Sequence, residues 1–403
     1  MNRKSKNFFF GVLGSLLLPG AKVSAQSTPV TEGLPTAPMP MVIKLSAEQI
    51  AAFRSYLVQE QKQTGLPGVA VVLVQPGQTL LAEGLGVRQA GGRLPVTADT
   101  RFALGPATQA VNSLLLARLA EEDILSLDMA ATRGWDEFRL ADPVATPKVT
   151  LRHLLGMTAG VPSGADGFVG SGNSKPTELF TVLGQIPVTA QPGREFAYSD
   201  ASVAAVGYLA VYAANHHREP VLGLATGYAT LAKEQLFDPL GMKDATFAAT
   251  DDDATGHTRD EQGAWKVAAT KPDTGGALRP ALGLRASAND VAAWLQVEIS
   301  NGLGADGKSF VLPDVLEERW RLPSSDDKRD YALGWATQRY RGIEIITRQG
   351  EHDNQAELVA IIPQYRTAFA LLTNGSGKDT AVFLQDALLN LADLLRETAA
   401  GQQ

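Results

Sequence analysis

The 403-residue chain contains no cysteine, so it can form no disulfide framework and carry no lipid-modified cysteine. Asp and Glu (43) outnumber Lys and Arg (36), and the formal net charge is −7. Because nucleic acids and anionic membranes require a basic face, neither is an expected partner. Beyond the N-terminal segment, no apolar run is long enough to cross a membrane. The five histidines show no metal-ligand pattern, so neither a metal nor a cofactor is expected.

The N-terminal segment has the pattern of a secretory signal peptide. Three basic residues stand among the first six, a short apolar run covers residues 8–18, and small residues lead up to Ala25. We therefore predict a signal peptide over residues 1–25, cleaved after Ala25, and a periplasmic or secreted mature protein. A buried N-terminal helix would explain this order of charge, apolar run and small residues less well. Residues 26–44 are predicted to be a flexible lead-in.

Apolar periodicity predicts strands near both ends of the mature chain and helices between them. A capping-box pattern at residues 46–49 marks the first helix, and two runs over 69–74 and 79–86 predict a hairpin. Further helices are predicted at 107–120, 149–155, 201–215, 223–235, 288–300 and 380–398, and strands at 331–338, 343–347, 356–362 and 367–372. Glycine- and proline-rich loops are predicted for much of residues 157–192. This order predicts one sheet built from distant parts of the chain and a helical insert, with a cleft where the insert meets the sheet.

Eight stretches occur in one order along the chain: LPGVAVVLVQPGQ, TADTRFALG, VTLRHLLGMTAGVP, PGREFAYSDASVAAVGYLA, LFDPLGMKDATF, LGLRASANDVAAWLQ, YALGWATQRYRG and ALLTNG. Together they resemble the serine β-lactamase and penicillin-binding-protein-like family, and most closely its class C β-lactamase, D-alanyl carboxypeptidase and esterase branch. The resemblance implies an α/β, β-lactamase-like domain over residues 45–400, with an antiparallel sheet flanked by helices. Its α/β part would cover about 45–104 and 285–400, and a mostly helical insert about 105–284.

In that family a serine acts as nucleophile, and a lysine three residues later on the same helical face accepts its proton. The resemblance puts Pro106 at the serine position and Gln109 at the lysine position. Proline suits the first turn of a helix. However, it lacks the hydroxyl and also the backbone N–H, which the family uses as an oxyanion donor. Gln109 cannot act as a base near neutral pH, so both catalytic positions are predicted to be degenerate.

The family's other two motifs, Tyr-x-Asn and Lys- or His-x-Gly, are altered as well. The sequence reads YSD at residues 198–200 and RQG at 348–350, and the family's HTSG-like turn reads MTAG at 157–160. Arginine keeps the positive charge but does not titrate. The degenerate positions are thus Pro106, Gln109, Tyr198, Asp200, Arg348 and Gly350, and the ligand-binding candidates are Tyr198, Asp200, Arg348 and Glu351. Tyr198 has a simple packing role as its alternative.

These substitutions predict a catalytically inactive periplasmic pseudoenzyme that binds a ligand or partner in the old cleft. The candidate ligands or partners are a small molecule, a peptidoglycan fragment and a periplasmic protein. The peptidoglycan fragment is suggested by family analogy alone. Arg348 is expected to face Asp200, either in a salt bridge that closes the cleft or as the binding site for a carboxylate. The mature chain is expected to be a monomer without a transmembrane segment.

Two alternatives remain open at this stage. The first is a weak esterase with rearranged catalytic residues: Thr108 without a lysine partner, Ser325 with Lys328, or Thr230 with Lys233. The second is a scaffold subunit of an envelope assembly, which the sequence does not separate from a ligand-binding pseudoenzyme.

Overall fold

The computed structural model describes residues 43–169, 174–218, 220–269, 275–321 and 330–402, so the predicted signal peptide and nearly all of the lead-in lie outside the described residues. The helices are α1 (Ala47–Thr64), α2 (Thr108–Glu121), α3 (Ala131–Gly134), α4 (Leu151–Leu155), α5 (Pro176–Gln185), α6 (Asp200–Asn215), α7 (Leu224–Ala232), α8 (Asp238–Leu240), α9 (Arg279–Leu282), α10 (Ala288–Ile299), α11 (Pro313–Glu318) and α12 (Lys378–Gly401). The strands are β1 (Gly68–Gln75), β2 (Gln78–Gly86), β3 (Phe102–Ala103), β4 (His257–Arg259), β5 (Trp265–Val267), β6 (Arg285–Ala286), β7 (Ala336–Tyr340), β8 (Ile343–His352), β9 (Gln355–Ile362) and β10 (Thr367–Thr373).

The main sheet joins the two ends of the domain. Its strand order is β2-β1-β10-β9-β8-β7, and every neighbouring pair is antiparallel. The N-terminal hairpin pairs with the last strand, so that Val69 lies opposite Thr373. This confirms the predicted α/β fold, in which an antiparallel sheet assembled from distant parts of the chain is flanked by helices.

Strand β1 shows why the sheet needs helices on both faces. All eight of its residues are buried, because alternate side chains enter two different cores. Val72 and its neighbours on that face pack toward the core that contains residues of α2, α6 and α10. Val71 and its neighbours pack toward the core that contains residues of α1 and α12. The continuous apolar run of β1 is therefore the signature of a strand in the middle of a three-layer arrangement.

Most predicted elements are confirmed within a few residues, and the helix starts have the expected caps. The side chain of Ser46 accepts a hydrogen bond from the backbone of Gln49, whose side chain accepts one from the backbone of Ser46. Thr150 and His153 form the same reciprocal cap at α4. A capping box satisfies backbone N–H groups that would otherwise have no partner in the first turn.

Three predictions of local structure were wrong. The strand predicted at 331–338 is β7, which begins at Ala336, because Gly334 has a φ of 88° and turns the chain before the strand. Helix α5 lies within the stretch predicted to consist of loops, and it begins at Pro176, where the missing N–H costs nothing. Ile43 is buried and its carbonyl accepts a bond from Gln75, so packing begins before residue 45.

Candidate functional site

The turn before α2 carries the position that the family resemblance assigns to the nucleophile. Pro106 lies in the buried 3₁₀ turn Gly105–Ala107, which leads directly into α2. Two side chains of β9 accept hydrogen bonds from the backbone of this segment. The backbone N–H of Ala107 donates to Oε1 of Glu357 over 3.2 Å, and that of Ala103 donates to Oε1 of Gln355 over 3.0 Å. The backbone of the turn is therefore fixed although it carries no catalytic side chain.

Pro106 also packs directly against the backbone of β8. A Cβ atom placed on Gly350 would lie 2.4 Å from Cγ of Pro106, a distance that real Cβ atoms do not adopt. Glycine at position 350 is therefore required by the close approach of the pyrrolidine ring. The ring lies between the start of α2 and β8. It begins at the same Cβ from which a nucleophile side chain at position 106 would begin.

Gln109 is bonded at both ends of its amide. Its Nε2 donates to the hydroxyl of Tyr198 over 3.0 Å and to Oδ1 of Asp200 over 2.5 Å. Its Oε1 accepts from the hydroxyl of Tyr331 over 2.9 Å and from Nη2 of Arg348 over 2.7 Å. An amide has two N–H donors and two acceptor positions, so all four are used. We refer to Gln109, Tyr198, Asp200, Tyr331 and Arg348 as the cleft network.

Arg348 enters this network from β8 and is only 6% exposed. Its Nε donates to the carbonyl of Pro106 over 3.1 Å, and its Nη2 donates to the hydroxyl of Tyr198 over 2.9 Å. The guanidinium carbon lies 5.5 Å and 5.3 Å from the ring centroids of Tyr198 and Tyr331, within cation–π range. A direct Arg348–Asp200 salt bridge was one of the two expected arrangements. Among the described residues no ion pair joins them, and Gln109 and Tyr198 lie between the two charges instead.

Asp200 is the first residue of α6, and its electrostatic environment differs from that of a surface carboxylate. Burial, together with the nearby carboxylate of Asp166, raises the pKa of Asp200 to about 6, although the Tyr198 hydroxyl, Arg348 and the Gln109 amide oppose the shift. Asp166 is itself held at the start of α6, where its Oδ1 accepts from the backbone N–H of Ala201 over 2.6 Å. Asp200 therefore changes charge close to neutral pH.

Tyr198 has an engaged hydroxyl and a partly accessible ring. The hydroxyl accepts from Gln109 and Arg348 and donates to Oδ1 of Asp200 over 2.9 Å, while the residue as a whole is 36% exposed. Burial of the hydroxyl raises the pKa of Tyr198, so the phenol stays protonated at neutral pH. The loop before it is held by the altered turn at 157–160, because the carbonyl of Met157 accepts from the backbone N–H of Ala197 over 3.0 Å.

Glu351 does not join the other ligand-binding candidates. Side chains alternate between the faces of a strand, so Glu351 lies on the face of β8 opposite to that of Arg348 and Gly350. Its side chain is exposed, and its Oε1 accepts from the backbone N–H of Gly377 at the start of α12 over 2.9 Å. We therefore do not place Glu351 in the cleft.

The residues considered as substitute nucleophiles are not arranged for that task where the structure describes them. Thr108 is 1% exposed, and its Oγ1 accepts from the backbone N–H of Leu284 over 3.2 Å. Thr230 donates to the carbonyl of Thr226 over 3.1 Å, while the ammonium of Lys233 pairs with Asp238. The third pair, Ser325 with Lys328, lies outside the described residues.

Sequence reasoning missed two residues that the structure brings to the site, Tyr331 and Glu357. Tyr331 lies in the stretch that was predicted as a strand, and no site motif includes it. Glu357 left a signal, since it is a single acid inside the otherwise apolar run of β9. It is fully buried, and burial raises its pKa well above the ordinary range of a glutamate. Among the described residues, no group of three His, Asp or Glu side chains could hold a metal ion, and no helix is long and apolar enough to span a membrane.

The fold and the position of this cleft are those of a serine-hydrolase scaffold, with helices packed on an antiparallel sheet and the site between α2, α6 and β8. The Beta-lactamase family model matches residues 53–393. The chain therefore belongs to the Beta-lactamase family.

The individual relatives are distant. Protein flp of Staphylococcus aureus (strain MW2) is 21% identical over 325 residues, which cover 79% of this chain and 62% of the relative. Unguisins hydrolase ungD of Aspergillus violaceofuscus (strain CBS 115571) is 25% identical over 372 residues, covering 80% and 61%. The octameric penicillin-binding protein homologue from Pyrococcus abyssi superposes with a TM-score of 0.68 at 23% identity, covering 85% of this chain and 77% of that one. This chain thus spans less than two thirds of the length of these two curated relatives.

Proposed function

We propose that this protein is a catalytically inactive member of its family, which acts in the periplasm or outside the cell and binds a ligand or partner in the cleft. The pair Pro106 and Gln109 carries the proposal. Pro106 has no hydroxyl and no backbone N–H, and every hydrogen-bonding position of the Gln109 amide is already used. The basic and apolar leader of the sequence supports export.

The energetic consequences of these two residues are large. Loss of one oxyanion donor costs about 2.7–4 kcal/mol of transition-state stabilisation. Loss of the nucleophile costs more, and the two losses are not additive. The tight contact of Pro106 with Gly350 and the four bonds of Gln109 further support a site that has adjusted to these residues.

A weak hydrolase is the alternative, and the name of the Aspergillus relative, a hydrolase, favours it. Such an activity would need a different nucleophile. The buried Thr108 hydroxyl faces the backbone of Leu284, which makes it a poor candidate.

Covalent labelling tests the proposal. Wild-type protein is incubated with fluorescent penicillin and with an activated-ester probe, and intact mass is measured. We expect no stoichiometric adduct, and an adduct at any side chain in the cleft would contradict the proposal.

The variant Pro106→Ser with Gln109→Lys is the positive control, because it restores nucleophile, amine and backbone N–H together. The new lysine would lie between the guanidinium of Arg348, 2.7 Å from Oε1 of Gln109, which lowers its pKa, and the carboxylate of Asp200, 2.5 Å from Nε2 of Gln109, which raises it. We expect this variant to be acylated and the single variant Pro106→Ser to be labelled far more slowly.

A scaffold role is the second candidate, since the Pyrococcus homologue is octameric. Light scattering of the mature chain tests it. We expect a monomer, and a stable oligomer would favour the scaffold role.

A further inference from the structure

The cleft network leaves two hydrogen-bonding atoms of opposite charge unused. Nε and Nη2 of Arg348 make three hydrogen bonds, whereas its Nη1 makes none among the described residues. Oδ1 of Asp200 accepts two hydrogen bonds, whereas its Oδ2 accepts none from the described side chains. In contrast, the amide of Gln109 and the hydroxyl of Tyr198 are fully engaged. A ligand that bonds to both atoms would therefore offer an acceptor to the cationic Nη1 and a donor to the anionic Oδ2.

The separation of these two charges is narrow but prevents direct pairing. Nη2 of Arg348 and Oδ1 of Asp200 each lie 2.9 Å from the hydroxyl of Tyr198, so the charged groups are less than two hydrogen-bond lengths apart. The ammonium nitrogen and the carboxylate oxygens of an α-amino acid are roughly 3 Å apart, as the bond lengths around Cα dictate. An α-amino acid therefore carries, within a few ångströms of each other, the two charges that are complementary to Arg348 and Asp200.

We propose that the cleft binds a free α-amino acid in its zwitterionic form, with its carboxylate on Nη1 of Arg348 and its ammonium group on Oδ2 of Asp200. This inference rests on the proposed function, since it describes what the inactive cleft binds. The ligand supplies the one interaction that the cleft lacks in the folded protein, a carboxylate in contact with the buried guanidinium.

Burial explains why that contact matters. Arg348 is 6% exposed, yet among the described residues no carboxylate lies within ion-pair distance of it. A buried charge without a direct partner is costly, so a ligand carboxylate gains more here than at the surface. The ring of Tyr198 (36% exposed) offers apolar surface to a ligand side chain.

Calorimetric titration of the mature wild-type protein with a panel of amino acids of both configurations tests the inference. The reference compounds are propionate, ethylamine and N-acetylalanine, each of which lacks one charged end of alanine. We expect the best amino acid to bind at least tenfold more tightly than any of the three. If no amino acid binds more tightly than about 1 mM, the inference is wrong. Equal binding of alanine and N-acetylalanine would refute the ammonium contact.

Two variants separate the site from general effects. Asp200→Asn keeps an acceptor for Tyr198 and Gln109 but removes the negative charge, so we expect at least tenfold weaker binding of the amino acid and unchanged binding of propionate. Glu351→Gln is the matched control, because it removes a carboxylate from the face of β8 opposite to that of Arg348. Unchanged amino-acid binding in Asp200→Asn, or a loss in Glu351→Gln equal to that in Asp200→Asn, would overturn the assignment.

The pH dependence gives a second readout that a purely structural role of Asp200 would not show. Asp200 faces Asp166, Tyr198, Tyr331 and Arg348, and its pKa is raised to about 6. Binding of the ammonium group needs the ionised carboxylate, so affinity should fall by about tenfold per pH unit below the pKa. The profile of Asp200→Asn should be flat over the same range, and a flat wild-type profile would contradict the ammonium contact.

The labelling experiment and the titration fail separately. Silent acylation probes together with no amino-acid binding would leave the inactive assignment standing and remove only the ligand. Covalent labelling together with amino-acid binding would remove the inactive assignment and leave the amino-acid ligand standing.

Discussion

Three arginines are buried in the part of the chain that the structure describes, and one of them differs from the other two in how its charge is neutralised. Arg319 pairs directly with Glu298, and Arg285 pairs with Asp253 and Asp353. Arg348 is buried as well, but Gln109 and Tyr198 stand between it and Asp200.

A directly paired ion needs no further partner, whereas a cation that contacts only neutral groups keeps part of its charge unsatisfied. The first two arginines thus have the environment of structural ion pairs. Arg348 has the environment expected at a binding site, where a perturbed charge lies in a cleft.

Breaking the Arg319 pair is expected to have the largest effect. Arg319 is 1% exposed, and its removal leaves the buried Glu298 without its cation and the carbonyl of Ala110 without its side-chain donor. We expect Arg319→Met to lower the free energy of unfolding by about 3–5 kcal/mol, measured by urea denaturation. Removing both charges with Glu298→Leu as well should cost less than the sum of the single changes. A single-variant loss of only about 1–2 kcal/mol would place Arg319 in the same class as Arg348.

Removing Arg348 is expected to cost less. Arg348→Met deletes a buried cation whose own desolvation opposes folding, although Gln109 and Tyr198 each lose one donor. We expect a loss of about 1–2 kcal/mol in the same denaturation experiment. A loss as large as that of Arg319→Met would mean that the indirect neutralisation through Gln109 is as strong as a direct ion pair.

The stability of the protein should depend on pH through Asp200. Its pKa in the folded protein is about 6, above the ordinary value of 3.8. The unfolded chain therefore loses its proton first as the pH rises, and the stabilisation from Asp200 is complete below about pH 4 and is lost as the pH rises through about 6. Asp200→Asn should remove this decline from thermal unfolding curves recorded between pH 4 and 7. An unchanged slope would show that other acids with raised pKa values, such as Asp166, Asp290 and Glu357, are responsible instead.

The smallest effect is expected at the exposed end of β8. Glu351→Gln exchanges one acceptor for another at the start of α12 and leaves the cleft network untouched. We expect a change in unfolding free energy within about 0.5 kcal/mol. A larger loss would mean that the face of the sheet opposite Arg348 is more sensitive to charge than its exposure suggests.

Local patterns predicted much of the fold. The apolar run of β1, the capping box of α1 and the periodic helices depend on neighbours in sequence, and they were confirmed. The chain turn at Gly334 depends on the close approach of its Cα to the carbonyl of Gln109 on α2, where a Cβ atom would lie only 2.6 Å away. No pattern around residue 334 reveals that contact, so the strand was placed too early.

The site residues that lie in the family's motifs could be predicted from the sequence. The residues that reach the site from other parts of the chain could not. Pro106, Gln109, Tyr198 and Arg348 were expected together from the family resemblance, and the structure brings them together. Tyr331 reaches Gln109 from 222 positions further along the chain. Such partners are chosen by three-dimensional proximity, which no spacing along the chain encodes.

The sequence by itself determined which chemical groups are absent from the nucleophile position, because a proline has no hydroxyl and no N–H wherever it is placed. It also determined the class of fold through local apolar periodicity. Only the tertiary structure decided that Arg348 and Asp200 remain apart, since that outcome depends on a glutamine amide from α2 and a tyrosine hydroxyl from the loop before α6 meeting between them. Hydrogen-bond geometry within a few ångströms, and not residue identity alone, left one donor and one acceptor of opposite charge available for a ligand.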